Sequence, residues 1–489
     1  FRVKQSSSLS CRGSETKPYD GGAAMRSTWN TGNACLARLA YLAAGALLLG
    51  IVIVAVRVCA AQNQAPVPAM PQTTDNRSLV TQKEMSVTVG AGGQLPGSDD
   101  LALQAGVEYL RKFGGGILTI LPGEYTMRNS LRVPSHVTIR GSGQGTVLKK
   151  APSTKALFVR DSDWYECQVA LADVSGFAPG CGVLLRAQTG PDVGLAGMKI
   201  LKATVTAVES NKLFLDRRLQ QDFRIRENAS ASSIFSIITA EDAEDVRVED
   251  VVLDGNREQN EVIDGNICGG IFLLRCKNFS FKNVTVRNYG GDGFSLQICD
   301  DLACEGCASE SNARYGFHLG SGSQRAVLSN CRANSNMLGV FFCWGVNDAS
   351  VENVTCSDNS DYGILLGHRD TDNRLANCTI ERNGKAGVIF TKQEALFDGA
   401  HRNTVVDCRL RDNGPGDPGV GIAVEESNED IVIRNNLFED TGVGRQKVAI
   451  YVNPSVSRIT VEGNQFVKQA AEVDRSVSLK ERIKELIGR

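Results

Sequence analysis

A small residue followed by an apolar one recurs through the second half of the chain at nearly fixed spacing. The pairs are Gly270-Ile271, Gly293-Phe294, Gly316-Phe317, Gly339-Val340, Gly363-Ile364, Gly387-Val388, Gly421-Ile422 and Ala449-Ile450. Successive pairs lie 23, 23, 23, 24, 24, 34 and 28 residues apart. Such a period is typical of a solenoid, in which each repeat buries its apolar side against its neighbours. The repeat predicts which residues stack in columns, so functional residues should be those that interrupt a column.

Each repeat contains two or three short strand patterns and no helical period. After the pair, Phe294-Ser295-Leu296 and Phe317-His318-Leu319 direct two side chains inward and one outward. A second strand pattern begins about ten residues before each pair, as in Asn283-Val284-Thr285-Val286. An asparagine separates the two strands in most repeats: Asn312, Asn336, Asn359, Asn383 and Asn413. Because Asn tolerates left-handed backbone and hydrogen-bonds neighbouring turns, the pattern predicts a parallel β-helix with turns about 4.8 Å apart.

The segment before the repeats resembles the start of a known kind of solenoid. Asp99–Lys112 places apolar residues at helical spacing after an acidic start. Gly114-Gly115-Gly116 and the strand-like Ile117–Ile120 follow. Residues 86–470 resemble right-handed parallel β-helix proteins of the pectate-lyase-like superfamily. The resemblance implies an all-β fold with an N-terminal capping helix, and action on long sugar polymers along a sheet face.

The other segments are assigned by composition and by loss of the repeat. The predicted divisions are residues 1–38, an N-terminal tail; 39–58, a hydrophobic export signal or membrane anchor; 59–85, a linker; 86–154, the N-terminal cap and first turns; 155–240, a small β insertion; 241–470, the repeats; and 471–489, a C-terminal helix. Residues 39–56 carry no charge, which suits either a cleaved signal or a spanning anchor. Both alternatives predict export to the periplasm, the cell surface or the medium.

Two of these segments have further predicted roles. The insertion is expected to wall one side of a groove beside the solenoid. The helical period of Val473–Ile487 predicts a cap over the C-terminal end, which would otherwise expose strand edges. Membrane association, if present, would run through residues 39–56.

Charge and cysteine usage restrict the partners and the chemistry. The net charge is −2, from 53 basic and 55 acidic residues, which argues against a nucleic-acid partner. Four of the 15 cysteines share one inward column with valines: Cys307, Cys331, Cys378 and Cys408. Because valine occupies equivalent positions in that column, these four cysteines are predicted to serve as small, buried apolar residues. Cys276 and Cys299 form another stacked pair, for which a disulfide stays open.

The candidate catalytic residues are polar groups that interrupt the columns on or just after the glycine-bearing strand. They are His318, His368, Arg369, Asp292 and Tyr315. The candidate substrate-binding residues lie beside them: Trp344, Phe341, Asp370, Lys392 and Gln297. All fall within a few consecutive turns, as a catalytic surface requires, and the predicted partner is a polysaccharide.

Lyase or epimerase chemistry on a uronate-containing glycan suits these residue types best. Such a reaction needs a base to remove the C5 proton and positive charge to neutralise the carboxylate. His318 or His368 is the candidate base, Tyr315 the acid, and Arg369 or Lys392 the neutralising cation. Tyr315-Gly316-Phe317 resembles the start of an alginate epimerase motif, but His318 stands where that motif has Asp.

Two alternatives stay open. A polygalacturonase-like hydrolase uses paired carboxylates, and Gly291-Asp292-Gly293 and Gly367-His368 resemble elements of that family. Tyr315, however, occupies the place of the family's paired aspartates. The second alternative is a non-catalytic envelope or glycan-binding β-helix protein, which the repeats alone would satisfy.

Calcium is an open possibility as a cofactor. Hard oxygen ligands of the kind that Ca²⁺ prefers are supplied by Asp292, Asp300, Asp301, Asp370 and Asp372. None of them has the spacing of a dedicated calcium loop.

Overall fold

The computed structural model describes residues 84–188, 197–414, 419–442 and 446–475. These residues coil into three long parallel sheets, and most turns contribute one strand to each. The predicted tail and export segment, residues 1–58, lie outside the described residues, as does most of the linker. No helix among the described residues is long and apolar enough to cross a membrane.

The strands that carry the glycine–apolar pairs form one sheet, here called the glycine sheet. Its eleven strands are Leu131–Arg132, Ile238–Glu241, Gly269–Leu274, Asp292–Gln297, Tyr315–Leu319, Leu338–Phe342, Tyr362–Leu366, Ala386–Phe390, Val420–Val424, Val448–Val452 and Ala471–Asp474. The predicted columns are confirmed, because Phe294 pairs with Phe317 and Ser295 with His318 in parallel register.

A second sheet follows the glycine sheet along each turn. Its twelve strands are Ser86–Val89, Gly116–Ile120, Val137–Arg140, Glu244–Glu249, Lys277–Lys282, Asp300–Glu305, Val327–Ser329, Ser350–Glu352, Arg374–Ala376, Thr404–Val406, Val432–Arg434 and Thr460–Glu462. The third sheet completes the turn. Its eleven strands are Gly123–Met127, Thr146–Lys150, Val252–Asp254, Thr285–Arg287, Ala308–Glu310, Arg332–Asn334, Thr355–Ser357, Thr379–Glu381, Arg409–Arg411, Leu437–Glu439 and Gln465–Val467.

A helix and a separate sheet interrupt the coil near its N-terminal end. The helix spans Asp100–Lys112, and the Asp99 side chain caps it by accepting the Ala102 N–H at 3.0 Å. The helix buries Leu103, Val107 and Leu110 against the first strands. The β insertion is a six-stranded antiparallel sheet with its own apolar core. Its strands are Lys155–Leu157, Gln168–Ala170, Gly182–Gln188, Met198–Glu209, Lys212–Leu215 and Ser230–Ser232. Short 3₁₀ turns occur at Gly143–Gly145, Ile225–Glu227, Arg257–Gln259 and Leu396–Asp398.

The glycines of the repeat are explained by how closely successive turns approach. A Cβ atom at Gly316 would lie 2.6 Å from the carbonyl oxygen of Gly339, and one at Gly339 would lie 2.4 Å from that of Gly363. Both distances are shorter than real Cβ contacts allow. Glycine is therefore required by stacking at the corner where the chain enters the glycine sheet. The apolar residue that follows fills the core, as Phe294 and Phe317 do with ring centroids 4.7 Å apart.

The predicted asparagine column is a buried hydrogen-bonded ladder between the third sheet and the glycine sheet. The Asn359 side chain accepts the Asn336 N–H at 3.0 Å and donates to the Ala333 carbonyl at 3.0 Å and to Asn383 Oδ1 at 2.8 Å. The ladder asparagines do not take left-handed backbone, although the sequence analysis named that conformation as one reason for asparagine at these positions. That conformation occurs at a different corner, at Asn330 and Asn353 with φ of 55° and 54°.

The described cysteines are free thiols, so the disulfide left open for Cys276 and Cys299 is not formed. Cys307 and Cys331 are buried in the inward column, which confirms their predicted apolar role. At the other end of the coil, the predicted C-terminal helix is wrong at its start, because Val473 and Asp474 belong to the last strand of the glycine sheet. The rest of that helix, from residue 476, lies outside the described residues.

We expect Asn359→Ala to lower the free energy of unfolding by about 3 kcal/mol, because it leaves buried backbone and amide groups without partners. The urea midpoint of the purified protein measures this. Asn353→Gly is the matched control: that side chain is exposed and its left-handed backbone suits glycine. An equal loss in both variants would contradict a special role for the ladder.

Candidate functional site

The predicted site residues fall into two groups on the outer side of the glycine sheet. One group, here called the strand cluster, lies within the strands: Asp292, Gln297, Tyr315, His318 and Phe341. The other, here called the edge cluster, follows the ends of the strands: Trp344, His368, Arg369, Asp370 and Lys392. Among the described residues no hydrogen bond, ion pair or ring contact joins one group to the other, so the predicted catalytic set is not a single constellation.

A buried ion pair forms the centre of the strand cluster. His318 Nδ1 lies 2.7 Å from Asp292 Oδ2, and both side chains are 0% exposed. The other carboxylate oxygen accepts the Tyr315 N–H at 3.1 Å. The backbone of Gly265 packs directly on the carboxylate, since a Cβ there would lie 1.6 Å from Oδ2. His318 thus points outward from the coil, as its column predicts, but it is not presented to a polymer.

The protonation of His318 does not suit the predicted role of catalytic base. Burial lowers its pKa, but hydrogen bonding to Asp292 and the neighbouring Cys343 thiol raise the pKa to about 9. Burial raises the pKa of Asp292, against the lowering effect of His318. The imidazole of His318 is therefore protonated on both nitrogens at neutral pH, so it cannot accept a further proton. Among the described residues Nε2 of His318 is buried without a hydrogen-bond partner.

Gln297 and Phe341, predicted to contact substrate, pack on the ion pair instead. Gln297 is 6% exposed and its amide nitrogen lies 3.0 Å from Ser295 Oγ and 3.4 Å from His318 Nδ1. The Phe341 ring lies 4.9 Å from the imidazole and 4.7 Å from the Tyr315 ring. Phe341 is half-buried, whereas Gln297 is enclosed and is not offered to a ligand.

Tyr315 is, like Phe341, a partly exposed member of the strand cluster. Its phenol oxygen lies 3.5 Å from Arg314 Nη2, and Arg314 also pairs with Asp264 at 3.4 Å. Burial raises the pKa of Tyr315, and Arg314 opposes that shift. The phenol is therefore protonated at neutral pH, as a proton donor requires. Arg314 was missed in the sequence because it immediately precedes a strand and interrupts no column.

The edge cluster presents an aromatic pair to solvent. The rings of Trp344 and His368 lie 4.1 Å apart at 32°, and Trp344 is 58% exposed. His368 Nδ1 lies 3.2 Å from Gln393 Oε1. The amide of Gln393 is oriented by its own hydrogen bond to Thr391 Oγ1 at 2.9 Å. This network assigns the imidazole proton to Nδ1 and leaves Nε2 as a proton acceptor.

Asp370 fastens the two turns that carry this aromatic pair. One of its carboxylate oxygens accepts the N–H groups of Gly345 and Val346 at 3.0 and 2.9 Å, and the other accepts that of Gly367 at 2.8 Å. Asp370 is 0% exposed, so its geometry does not support the predicted contact with substrate. Burial raises its pKa to about 7, against the lowering effect of these amides. Its role is to position its neighbours.

The turns held by Asp370 are strained. Trp344, His368 and Arg369 have φ of 61°, 24° and 66°, in or near the left-handed region. Each such residue costs about 1–3 kcal/mol, and strain of this kind concentrates at functional sites. The Asp370 hydrogen bonds offset that cost and keep the rings stacked.

Charged groups surround the aromatic pair. Arg369 is half-exposed and lies 3.5 Å from Asp398, and Lys392 pairs with Glu426 at 2.9 Å. Burial raises the pKa of Glu425, beside Glu426. Gln393 was not predicted either, since an amide one residue after Lys392 carries no periodic signal.

The aspartates considered as calcium ligands already have protein partners. Asp300 and Asp301 pair with Arg325, and Asp372 pairs with Arg402. Asp292 and Asp370 are occupied as described above. In the described ranges the one group of three ligand atoms close enough to share an ion is His136, Glu244 and Asp245, which is exposed and lies by the second sheet.

The insertion lies beside the first strands of the glycine sheet, as expected of a groove wall. A cavity of about 290 Å³ separates them, lined in part by Arg132, Lys202 and Phe235. Lys202 Nζ lies 3.6 Å above the Phe272 ring. The cavity includes no member of the strand cluster or the edge cluster.

When the imidazole protons of the four histidines are followed by NMR, we expect His318 to titrate near pH 9 in the folded protein. His318→Asn assigns the resonance. Because this pKa exceeds the ordinary value of 6.5, the stabilisation by the ion pair is complete below about pH 6.5 and is lost as the pH rises through 9. The difference in thermal midpoint between the two proteins should shrink over that range, and a constant difference would contradict the ion pair.

We expect Asp370→Asn to lower the free energy of unfolding by about 1–3 kcal/mol, because its amide group would face a backbone N–H. Indole fluorescence should also become easier to quench with acrylamide, measured with Trp29 and Trp164 replaced by Phe so that Trp344 alone reports. Asp372→Asn is the control, since Asp372 is exposed and its pairing with Arg402 contributes little. Equal behaviour of the two variants would rule out the positioning role.

Comparisons with known proteins provide information on the fold of the chain. Residues 269–398 match the family described as "Right handed beta helix region". A search of curated proteins by sequence found no match. Among solved structures, the A-module of a mannuronan C-5 epimerase from Azotobacter vinelandii is 14% identical, covers 78% of this chain and 95% of its own, and has a TM-score of 0.49.

Two further solved structures are similar over most of the coil. A surface adhesin of Streptococcus pneumoniae is 10% identical, with 77% of this chain and 89% of that chain covered and a TM-score of 0.47. An alginate lyase from Paenibacillus is 10% identical, with 77% and 99% covered and a TM-score of 0.44. No residue role is transferred from them at these identities. The three parallel sheets give the chain the fold of a right-handed parallel β-helix, and the family match covers residues 269–398 of it.

Proposed function

We propose that this β-helix binds an acidic polysaccharide at the edge cluster and acts on its uronate residues by lyase or epimerase chemistry. The observation that carries the proposal is the exposed Trp344 ring stacked on His368, on strained turns that Asp370 fastens. We further propose that the protein acts outside the cytoplasm, as the hydrophobic segment at residues 39–58 predicts.

Binding is supported by the shape and charge of the edge. A large aromatic face left in solvent on a held turn is a surface on which a sugar ring can pack. Arg369 and Lys392 are 52% and 61% exposed at their side chains, and they place positive charge beside that face. Both cations are paired with carboxylates, so a uronate carboxylate would compete with Asp398 and Glu426 for them.

The catalytic assignment follows from which groups are open to solvent and able to accept a proton. Nε2 of His368 is the candidate base for the C5 proton, because Gln393 holds the proton of the other nitrogen. Arg369 is the candidate for stabilising the carboxylate as negative charge develops on it. Return of a proton to the other face of C5 gives the epimer, whereas loss of the C4 oxygen substituent gives the unsaturated product.

His318 and Tyr315, part of the first hypothesis, are left out of this mechanism. His318 is buried and already protonated at neutral pH. Tyr315 can donate a proton, but it begins its strand, whereas His368 follows the end of one.

Hydrolysis is the second candidate, and one observation favours it. Burial raises the pKa of Glu425, and a neighbouring carboxylate, Glu426, lies beside Lys392. A carboxyl group with a raised pKa beside a second carboxyl group is a pairing that glycoside hydrolysis uses.

We expect His368→Gln to reduce turnover on the uronate polymer by about 10²–10⁴-fold, the usual contribution of a general base. Trp344→Ala should raise KM about tenfold with a smaller effect on kcat, because it removes ring packing. A panel of polysaccharides is assayed for absorbance of unsaturated uronates, for reducing ends and, by NMR, for changed C5 configuration. His136→Gln, which changes an exposed histidine in the turn before a strand of the second sheet, is the control and should keep full activity.

The products distinguish the alternatives. New absorbance indicates a lyase, and a changed NMR spectrum without cleavage indicates an epimerase. New reducing ends without absorbance would indicate hydrolysis and would make Glu425 the candidate catalytic residue. Glycan binding that Trp344→Ala abolishes, with none of the three chemical signals, would leave a binding protein and refute the catalytic part of the proposal.

A further inference from the structure

We propose that the cavity between the β insertion and the glycine sheet is a binding site for a small carboxylated sugar, such as a single uronate. The proposal does not rest on the action on uronate polymers at the edge cluster, because the cavity includes no residue of that cluster. The site exists whether or not the edge cluster is catalytic.

Three parts of the chain form the walls of this cavity. The insertion contributes the strand Met198–Glu209, the capping helix Asp100–Lys112 contributes Glu108, and the glycine sheet contributes Arg132 and Thr239. The volume is about 290 Å³, close to the lower limit of about 300 Å³ for small-molecule pockets. The cavity therefore suits a single sugar ring rather than a stretch of polymer.

Alternation along the insertion strand directs Lys202 at the coil. Its neighbours Leu201 and Ala203 are buried in the apolar core of the insertion, so the side chain of Lys202 leaves the opposite face. On that face Ile200 packs against the core of the coil, as does Leu184, which pairs with Lys202 in the adjacent strand. A cation thus stands where its neighbours make apolar contacts.

The ammonium group of Lys202 has no carboxylate partner within the part of the chain that the structure describes. It lies instead over the Phe272 ring, with Nζ 3.6 Å from the centroid. Lys199 on the same strand, by contrast, pairs with Glu227 at 2.7 Å. A partly buried cation that rests on an aromatic ring and lacks a counter-ion is a position that an anionic ligand can occupy.

Arg132 places a second cation at the mouth of the cavity. Its Nη2 donates to Thr204 Oγ1 of the insertion at 2.6 Å, and Thr204 lies two residues after Lys202 on the same face of the strand. Gln104 of the capping helix holds the backbone of Arg132, accepting its N–H at 2.9 Å and donating to its carbonyl at 3.2 Å. These partners are neutral, so they position the guanidinium without cancelling its charge.

The acidic side chains around the cavity leave this positive charge in excess. Glu108 pairs with Arg111 at 2.7 Å, and Asp216 pairs with Arg217 at 3.3 Å. Glu241, which also lines the cavity, is exposed at the end of its strand. Among the described residues around the cavity, two cations without an ion pair therefore face one such carboxylate.

The lining also suits the rest of a sugar. Phe235 supplies an apolar wall and is itself held by Lys150, whose Nζ lies 4.3 Å from the centroid of its ring. Ser130 and Glu241 offer polar groups to sugar hydroxyls. An inorganic anion would leave the apolar wall unused, whereas a carboxylated sugar ring contacts both the wall and the cations.

A covered stretch of the glycine sheet separates the cavity from the edge cluster. The outward column runs from Thr239 through Ser295 and His318 to Phe341. Ser295 and His318 are 0% exposed, and Ser295 Oγ donates to the Gly265 carbonyl at 2.6 Å. A polymer therefore cannot follow this column from the cavity to the edge cluster, and the cavity takes a ligand of its own.

The experiment titrates sodium glucuronate into the full chain and measures binding by isothermal titration calorimetry. The protein carries Trp344→Ala, so that packing on the edge cluster does not contribute. Glucose and sodium acetate are the comparison ligands. We expect glucuronate to bind at least tenfold more tightly than either, because it alone combines the carboxylate with the ring. Added NaCl should weaken its binding, since salt screens the two cations.

Lys202→Met in the same background should weaken glucuronate binding at least tenfold, because it keeps an unbranched side chain over Phe272 and removes the charge. Lys202→Arg should largely retain binding. The matched control is Lys277→Met, which changes an exposed lysine on the second sheet and should leave the affinity unchanged. Circular dichroism checks that each variant is folded, and the comparison of the three ligands remains decisive if a variant is not.

The proposal is overturned if glucuronate shows no binding in the millimolar range, or if a folded Lys202→Met binds it as tightly as the parent protein. Glucose or acetate bound as tightly as glucuronate would also refute recognition of a carboxylated sugar. Lys202→Met with Trp344 intact should keep full turnover on uronate polymers. A loss of that turnover would contradict the independence of the cavity, so this proposal and the proposed function fail separately.

Discussion

The structure depends on how closely successive turns of the coil approach at one corner. At Gly316, Gly339 and Gly363 the carbonyl oxygen of the next turn lies 2.4–2.7 Å from the position that a Cβ atom would take, so no larger side chain fits without a shift of the backbone. This contact sets the register of the glycine sheet, because each strand begins directly at the corner. The ladder of buried asparagines beside it satisfies the backbone groups that the corner leaves unpaired. Packing and hydrogen bonding therefore require the same repeat, and a turn that violates either one destabilises its neighbours.

A coil built this way has a regular interior and a variable outer side. In the inward column Phe294 stacks on Phe317, whereas the outward column changes from Ser295 to His318 to Phe341. Backbone hydrogen bonds between turns do not depend on those outer residues. The outer side chains are therefore free to be charged or aromatic. The left-handed turns at the edge cluster are held from a second direction. Asp370 provides that support at the edge cluster.

Much of the fold was predictable because its signals are local and periodic. The 23–24-residue period, the alternation within strands and the acidic start of the helix at Asp99 each depend on neighbouring residues in the sequence. The candidate site was predicted less well. The sequence narrowed the candidate surface to a few turns, which stays a prediction. It did not reveal that His318 and Asp370 are enclosed, since burial by a covering backbone such as that of Gly265 has no periodic signature. Arg314 was missed because it interrupts no column.

The solenoid, its period, the stacking of its columns and the position of its capping helix could all be inferred from the order of residues along the chain. Each of these follows from residue size and alternation, which a linear chain displays directly. Only the tertiary structure decided that the predicted catalytic residues separate into a buried ion pair and an exposed aromatic edge. That division depends on which loop covers which turn and on where backbone N–H groups find acceptors. Both are set by contacts between residues far apart in the chain, such as Gly265 with Asp292 and Gly345 with Asp370.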